Sequence, residues 1–255
     1  MSRTARRGLI AFSVTIIVAL VILGVLDRVA ARVVADQIAT RAQTSQNLAE
    51  RPTVSLGGFP FLTQVTAGKY RHVNIEIRGY ERDGVRVDRL RAELAGVHLP
   101  LSDVLNKDVQ RVPVDQVKAQ VDLTFDDLNA YLATQDPPAR VAPAGQGLEI
   151  SGTVEVLGSQ YPVSGVADIG VAADSVTFTP RDLTAGLGAV IPTQLLEPLR
   201  ELLTVQVPVT GLPFNMGLRS VVVGADRLTF TAGGENVLLD ADLAQTGVPA
   251  GSSGL

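Results

Sequence analysis

The chain of 255 residues contains no cysteine and only two histidines. The absence of cysteine excludes disulfide bonds and thiolate metal sites, so the folded part must be stabilised by packing alone. His72 and His98 stand far apart in the sequence, and no HExxH or CxxC motif occurs. The sequence therefore predicts neither a zinc site nor any other metal site, and no cofactor.

Motifs of common catalytic sites are also missing. There is no GxSxG elbow and no P-loop, and the GLG triplet at 186–188 lacks the third glycine of a dinucleotide fingerprint. Three carboxylate pairs remain: Asp126 with Asp127, Asp240 with Asp242, and Glu197 with Glu201. Helix capping explains the first pair, and nothing indicates that the others are buried as acid–base catalysis would require. No catalytic residue is predicted, and the protein is interpreted as a non-enzyme.

One long apolar run is present. Residues 8–26 carry no charge and follow Arg3, Arg6 and Arg7. A helix of this length spans about 28 Å, close to the roughly 30 Å hydrocarbon core of a bilayer. The basic flank predicts an anchor whose N-terminus stays in the cytoplasm, with the rest of the chain outside the plasma membrane. The alternatives are a signal peptide cleaved near Val29-Ala30-Ala31 and a buried core helix.

The predicted organisation follows from this anchor. Residues 1–7 form a cytoplasmic tip, 8–26 the anchor, 27–51 a helical stalk, 52–245 the exported domain and 246–255 a disordered tail.

Charge is distributed unevenly along the chain. The net charge is −4, but residues 92–255 alone carry −11. An acidic exported body is a poor binder of nucleic acid, whose affinity depends on neutralising phosphates. Residues 69–91 carry +3. This basic hairpin is a candidate contact for one anionic headgroup, and the alternative is an ordinary solvated face.

Hydrophobic periodicity predicts an α+β fold with a largely antiparallel sheet. Residues 73–77 and 117–123 alternate between apolar and polar side chains, which is typical of strands with one buried face. A change of parity between Val87 and Leu90 predicts a β-bulge. Thr124 is a good N-cap for an amphipathic helix, and Pro192 introduces a leucine-rich helical stretch. Strands with a few segregated helices indicate α+β.

Two segments together resemble a known family. They are GGFPFLTQVTAGKYRHVNIEI at 57–77 and LPFNMGLRSVVVGADRLTFTAGGENVLLD at 212–240. With the anchor, they resemble the LmeA-like (lipomannan elongation) family of actinobacterial exported phospholipid-binding proteins, over about residues 30–240. The family usually has a glycine soon after the LPF triplet, whereas Asn215 and Met216 precede Gly217 here.

The resemblance implies a function and a fold. It implies an envelope protein that binds anionic phospholipids of the phosphatidylinositol type and supports lipoglycan synthesis, with envelope glycolipid enzymes as possible partners. It also implies a tubular lipid-binding fold, in which a curved sheet and a helix enclose acyl chains. A groove that holds an acyl chain would bind lipid without covalent chemistry.

Candidate lipid-contacting residues follow from this hypothesis. The predicted acyl lining is Phe59, Phe61, Leu62, Leu99, Leu101, Leu105, Tyr131, Leu132, Leu195, Leu199 and Leu202. The predicted headgroup residues are Lys69, Arg71 and Arg78, with Arg89 and Arg91 as weaker candidates. The alternative for each lining residue is a place in an ordinary core.

Two other functions stay open at this point. A non-catalytic scaffold for an envelope enzyme would have a solid core and an exposed apolar patch. An enzyme acting on glycolipids would need two carboxylates that converge in a cleft.

Overall fold

The computed structural model describes residues 3–45, 47–82, 84–106, 109–134, 138–145, 147–156, 159–185, 204–208 and 214–240. The helices of this part are α1 (Arg3–Ser45), α2 (Phe61–Ala67), α3 (Leu101–Asn106) and α4 (Phe125–Leu132). The strands are β1 (Thr53–Gly57), β2 (Lys69–Arg82), β3 (Val85–His98), β4 (Arg111–Thr124), β5 (Ala139–Ala144), β6 (Gly147–Val156), β7 (Ser159–Val171), β8 (Ser175–Ala185), β9 (Val205–Pro208), β10 (Phe214–Val223) and β11 (Arg227–Asp240). The predicted leucine-rich helix after Pro192 and the predicted tail lie outside these residues.

The strands form two antiparallel sheets. The six-stranded sheet has the order β1-β2-β3-β4-β11-β10, and the five-stranded sheet has the order β5-β6-β7-β8-β9. The β4–β11 pairing brings the C-terminal part of the described chain into the first sheet, between β4 and the edge strand β10. Two antiparallel sheets with an N-terminal apolar helix and three short helices confirm the predicted α+β class.

Apolar residues line up across the six-stranded sheet. Directly opposed residues of antiparallel strands project to the same face, so cross-strand pairs show which side chains are neighbours. We call the following three rows the apolar face. They are Leu56-Val73-Leu94-Val117-Gly234-Met216, Val54-Ile75-Ala92-Ala119-Ala232-Leu218 and Ile77-Leu90-Val121-Phe230-Val221. The intervening residues of β2, β3 and β4 are mostly charged or amide side chains and form the opposite, polar face.

The side chains that face the core change parity near Gly96. Leu94 and Val97 both belong to the main core, although an ideal strand sends residues three apart to opposite faces. At this level Gly96 has φ +65° and Asn236, on β11, has φ +52°. The left-handed backbone conformation has no steric cost for glycine. Gly96 therefore lets β3 turn its next residue, Val97, back towards the core.

The β-bulge predicted between Val87 and Leu90 is wrong. The β2–β3 ladder keeps one register along its whole length. Gly79, next to this level of the ladder, has φ +59°. The change of parity therefore coincides with a left-handed glycine and does not involve an inserted residue.

Helix α4 connects the two sheets. Thr124 Oγ1 accepts a hydrogen bond from the backbone N–H of Asp127 at 3.1 Å, so the predicted N-cap is confirmed. The Asn129 side chain donates to Val141 O at 2.9 Å and accepts from Val141 N at 2.7 Å. Because β5 is an edge strand with unpaired backbone groups, these two bonds attach α4 to that edge. A second core of Phe125, Val141, Leu148 and Leu228 joins the helix to both sheets.

Helix α1 continues without a break from the apolar run to Ser45. It is a helix long and apolar enough to cross a membrane, and its composition fits an anchor or a signal sequence. The apolar side chains of its first half, such as Phe12 and Leu26, are mostly exposed, so the alternative of a buried core helix is wrong. In its second half Ala31, Ala35 and Ala39 are buried, and this part of the chain contacts β1 and α2.

Replacing Gly96 with alanine is expected to destabilise the domain by about 1–2 kcal/mol, because a side chain disfavours left-handed backbone. The added Cβ would also collide with the Asp115 carboxylate. Urea unfolding of the full chain in detergent micelles measures the loss. Gly170→Ala is the matched control, since its Cβ would meet Thr177 at an ordinary 3.6 Å and its φ is not left-handed. Equal stability of the two variants would contradict the role given to Gly96.

Candidate functional site

The apolar face is only half-buried in its middle. Ile75, Ala92 and Ala119 of the middle row, and Leu90 and Val121 of the next, all keep an intermediate exposure. The row towards His98 is more closed, since Leu94 and Val117 are buried in the main core. The structure thus has an interior row at one end of this face and a broad, incompletely covered apolar area beside it.

The apolar face continues into the five-stranded sheet. Phe230 and Val223 of the first sheet pack against the second core, as do Ile150, Ile169 and Phe178 of the second sheet. Leu128 and Leu132 of α4 contact the same cluster. A single apolar strip therefore runs from the first sheet, past α4, to the second sheet.

The polar face carries an ion cluster. Arg78 Nε donates to Glu76 Oε1 at 2.7 Å, and Arg89 Nε and Arg91 Nε lie 3.8 and 3.6 Å from the same carboxylate. Arg91 also lies 3.8 Å from the buried Asp122. The hydrogen bond from Arg78, together with the charges of all three arginines, holds the pKa of Glu76 below its usual range although burial opposes this. The cluster ties β2, β3 and β4 together.

The predicted headgroup residues have different partners. Lys69 Nζ lies 2.8 Å from Asp115, which also accepts from His98 Nε2 at 2.7 Å. The hydrogen bond from Lys69, followed by that from His98, lowers the pKa of Asp115. Arg78 is bound to Glu76, whereas Arg71 is exposed and has no acidic partner among the residues described. The three cations therefore do not form one cluster, and their contact with a headgroup stays a prediction.

Three predicted lining residues lie at α2. Phe61 is buried, and its ring centroid lies 6.2 Å from that of Tyr70. Phe59 and Leu62 are exposed. Their role in lining a lipid site stays a prediction.

The other predicted lining residues are spread over both ends of the six-stranded sheet. Leu99 packs on the main core and Leu101 is exposed on α3. Tyr131 and Leu132 are half-buried on α4, at the opposite end of the strands. The side chain of Leu105, and all of Leu195, Leu199 and Leu202, lie outside the residues described. The apolar face lies between these two groups. The residues predicted from the sequence therefore lie at its ends, and none of them lies in its middle.

The residues in the middle of the apolar face, which were not predicted as lining residues, do have a recognisable pattern in the sequence. Alternation over 117–123 predicted a half-buried strand, and Ala119 and Val121 belong to its apolar side. What the sequence did not contain is the register that aligns them with Ile75, Ala92 and Phe230.

The sequence-based prediction also did not include Asp27, whose carboxylate is buried. Its two oxygens accept hydrogen bonds from the backbone N–H groups of Phe61 and Leu62, each at 2.9 Å. Arg28 donates to Gly58 O at 2.7 Å, and its guanidinium lies 5.1 Å from the Phe59 ring centroid. Asp27 thus caps the first turn of α2 from a distance of more than thirty residues in sequence. It is the first charged residue after the apolar run.

A groove of about 760 Å³ lies elsewhere, beside α4 and the five-stranded sheet. Its lining includes Asp126, Asn129, Arg140, Ser151 and Thr184, and it contains none of the predicted lipid-contacting residues. Apolar residues such as Ala133 and Val163 also line the groove, but it contains no residue of the apolar face.

Comparison with known families decides the class of protein. The sequence model of a family described as LmeA-like phospholipid-binding matches residues 25–233. The chain belongs to this LmeA-like family. The resemblance found in the sequence is confirmed, and a phospholipid-binding role is supported by the family. No curated protein and no solved structure matched the chain.

The LmeA-like match begins at Val25. It therefore includes Asp27 and the half of α1 that contacts β1 and α2. Within the residues described, no group of three or more His, Asp or Glu side chains is placed to hold a metal ion.

Replacing Asp27 with alanine is expected to loosen α2, because the Phe61 and Leu62 amides lose their acceptors. Loss of an N-cap costs about 0.5–2 kcal/mol. Hydrogen exchange of these two amides in the full chain measures the effect, which should appear as faster exchange at α2 and not at β4. Asp36→Ala, at an exposed site on the same helix, is the control. Unchanged protection of Phe61 and Leu62 would contradict the capping role.

Replacing Glu76 with glutamine is expected to change the pH dependence of stability. The folded pKa of Glu76 is lowered, so its contribution is present above the ordinary pKa of about 4.3 and is lost as pH falls through the lower folded value. The variant should be less stable by about 1 kcal/mol at pH 7. The difference should narrow as pH falls below about 4.3 and close only below the lowered folded pKa of Glu76. Urea midpoints of both proteins across this range test the sign, and a constant difference would count against it.

Proposed function

We propose that this protein is a non-catalytic binder or carrier of anionic phospholipids, held by α1 on the outer side of the plasma membrane. The observation that carries the proposal is the half-buried apolar face in a chain of a phospholipid-binding family. Each methylene group that moves from water onto such a surface contributes about 0.8 kcal/mol, so an acyl chain binds there without covalent chemistry.

The acyl chain lies along the middle of the apolar face. This area is bounded by α2 and α3 at one end of the strands and by α4 at the other. Two small side chains, Ala92 and Ala119, occupy the half-buried part of the middle row, between Ile75 and the buried Ala232. They leave room over the centre of the sheet that bulky residues would fill. Phe230 extends this path towards the second sheet.

Arg71 is the first headgroup contact. It is exposed, it is not engaged by an acidic side chain among the described residues, and its backbone N–H donates to Gln64 Oε1 at 2.8 Å. This bond places the start of β2 beside α2. Lys69 shares its charge with Asp115 and contributes less. A guanidinium suits a phosphate because it offers planar, bidentate donors.

The finer biological role rests on the resemblance alone. The bound lipid is of the phosphatidylinositol type, and its binding supports lipoglycan synthesis in the cell envelope alongside glycolipid enzymes. This is a role in supply or presentation of lipid, with no chemical step on the protein.

The anchor is retained in the mature protein. Cleavage after Ala31 would remove Asp27, which caps α2, and Arg28, which binds Gly58. The three N-terminal arginines then keep the tip, residues 1–7, in the cytoplasm. Residues 8–26 span the membrane, 27–51 connect to the domain of 52–245, and 246–255 form the tail.

A phospholipid with a photoreactive group at the end of one acyl chain tests the proposal. The full chain is reconstituted in vesicles that contain this lipid, irradiated and mapped by mass spectrometry. Crosslinks are expected in β3, β4 and β11 on the apolar face, in addition to α1. Phosphatidylinositol should compete better than phosphatidylcholine. Crosslinks confined to α1 would overturn the carrier role.

Ala92→Phe is expected to reduce crosslinking to the apolar face about fifteenfold, since displacing about two methylene groups from the surface costs roughly 1.6 kcal/mol. Ala95→Phe is the matched control, because Ala95 pairs with His72 and Gln116 on the polar side of the same strand. Its crosslinks should remain at the wild-type level. Equal loss in both variants would show that the effect is one of folding, and no loss in either would contradict the assigned face.

A further inference from the structure

Exposed apolar residues gather where α1 leaves its apolar run. Phe59 is 57% exposed and Leu62 is 42% exposed at the start of α2, and Leu101 and Val104 of α3 are 42% and 40% exposed. We call these four residues the apolar tip. Single exposed apolar residues are ordinary on a protein surface, whereas four at the beginnings of two adjoining short helices are a local concentration.

The two helices of the apolar tip are held next to each other. Leu99 N donates to Gly68 O at 2.8 Å, which joins the segment that leads into α3 to the residue after α2. A Cβ on Gly68 would lie 2.8 Å from the Pro100 Cα, so the two connections are in close contact. The apolar tip is therefore one feature at one end of the six-stranded sheet.

The position of the apolar tip relative to α1 is fixed by Asp27. The carboxylate that caps α2 belongs to the first residue after the apolar run 8–26. The first turn of α2 must then lie beside the point at which α1 leaves the hydrocarbon region. Arg28, next to it, lies over the Phe59 ring. A cation and an aromatic ring at this depth are typical of the interface between lipid and water.

We propose that the apolar tip inserts into the headgroup region of the outer leaflet. This rests on the part of the proposed function that has residues 8–26 spanning the membrane. The occupant is the bilayer surface and not a protein, because the apolar tip adjoins the membrane-spanning run itself. Insertion would place the α2 end of the apolar face, with Arg71, at the surface from which lipid enters.

The absence of cysteine makes the test direct. Single cysteines at Leu62 or Val104 carry an environment-sensitive dye in the full chain, reconstituted in vesicles of phosphatidylcholine and phosphatidylglycerol with a spin-labelled quencher lipid. Val18→Cys, in the apolar run, reports insertion of α1. Val222→Cys is the aqueous control, since Val222 is 56% exposed on β10, at the other edge of the sheet.

Dyes at Leu62 and Val104 are expected to be quenched more than at Val222 and less than at Val18, with a blue shift of their emission. Emission at Leu62 and Val104 equal to that at Val222, with Val18 quenched, would overturn the apolar tip and leave the anchor intact. An unquenched Val18 would overturn both. If the dyes are quenched but the apolar face forms no crosslink with the acyl chain, the carrier role is contradicted and insertion of the apolar tip is supported.

Discussion

A β-sheet has two faces, and the pleat assigns alternate residues to each of them. In this protein β2, β3 and β4 keep that alternation over long stretches, so their sheet has a polar face and an apolar face. Charged side chains of the polar face pair with one another in the cluster around Glu76. The side chains of the apolar face cannot pair in this way, because apolar surface contributes to stability only when it is removed from water. The rest of the architecture is arranged around this face.

Among the described residues, α2 and α4 contact the sheet at opposite ends of its strands, and α1 contacts the edge strand β1. At one end, Asp27 holds α2, and α2 contacts α3 through Gly68 and Pro100. At the other end, Asn129 holds α4 to the edge of the second sheet. Between them, Ile75, Ala92 and Ala119 keep partial access to solvent. The same geometry leaves an apolar surface partly open to solvent, and this is where we propose that a phospholipid acyl chain binds.

The helix that we propose as the membrane anchor is also part of the fold. The buried carboxylate of Asp27 belongs to the helix that carries the apolar run, and the alanines at four-residue spacing pack that helix against the domain. A flexible tether would leave the domain free to rotate, whereas this docked helix sets one orientation. An α1 in the membrane would keep the α2 end of the apolar face close to the lipid.

The sequence by itself determined the α+β class, the apolar run, the α4 cap at Thr124 and the family, because each depends on local spacing or on residues close together in the chain. It did not determine the apolar face, since Ala92, Ala119 and Phe230 become neighbours only through pairing of strands more than twenty residues apart. It also did not reveal Asp27 as a cap, because its partners lie in α2. The bulge expected near Val87 was wrong because a left-handed Gly79 has no signature in the apolar pattern. Periodicity is read along one strand, whereas a binding surface is made across several.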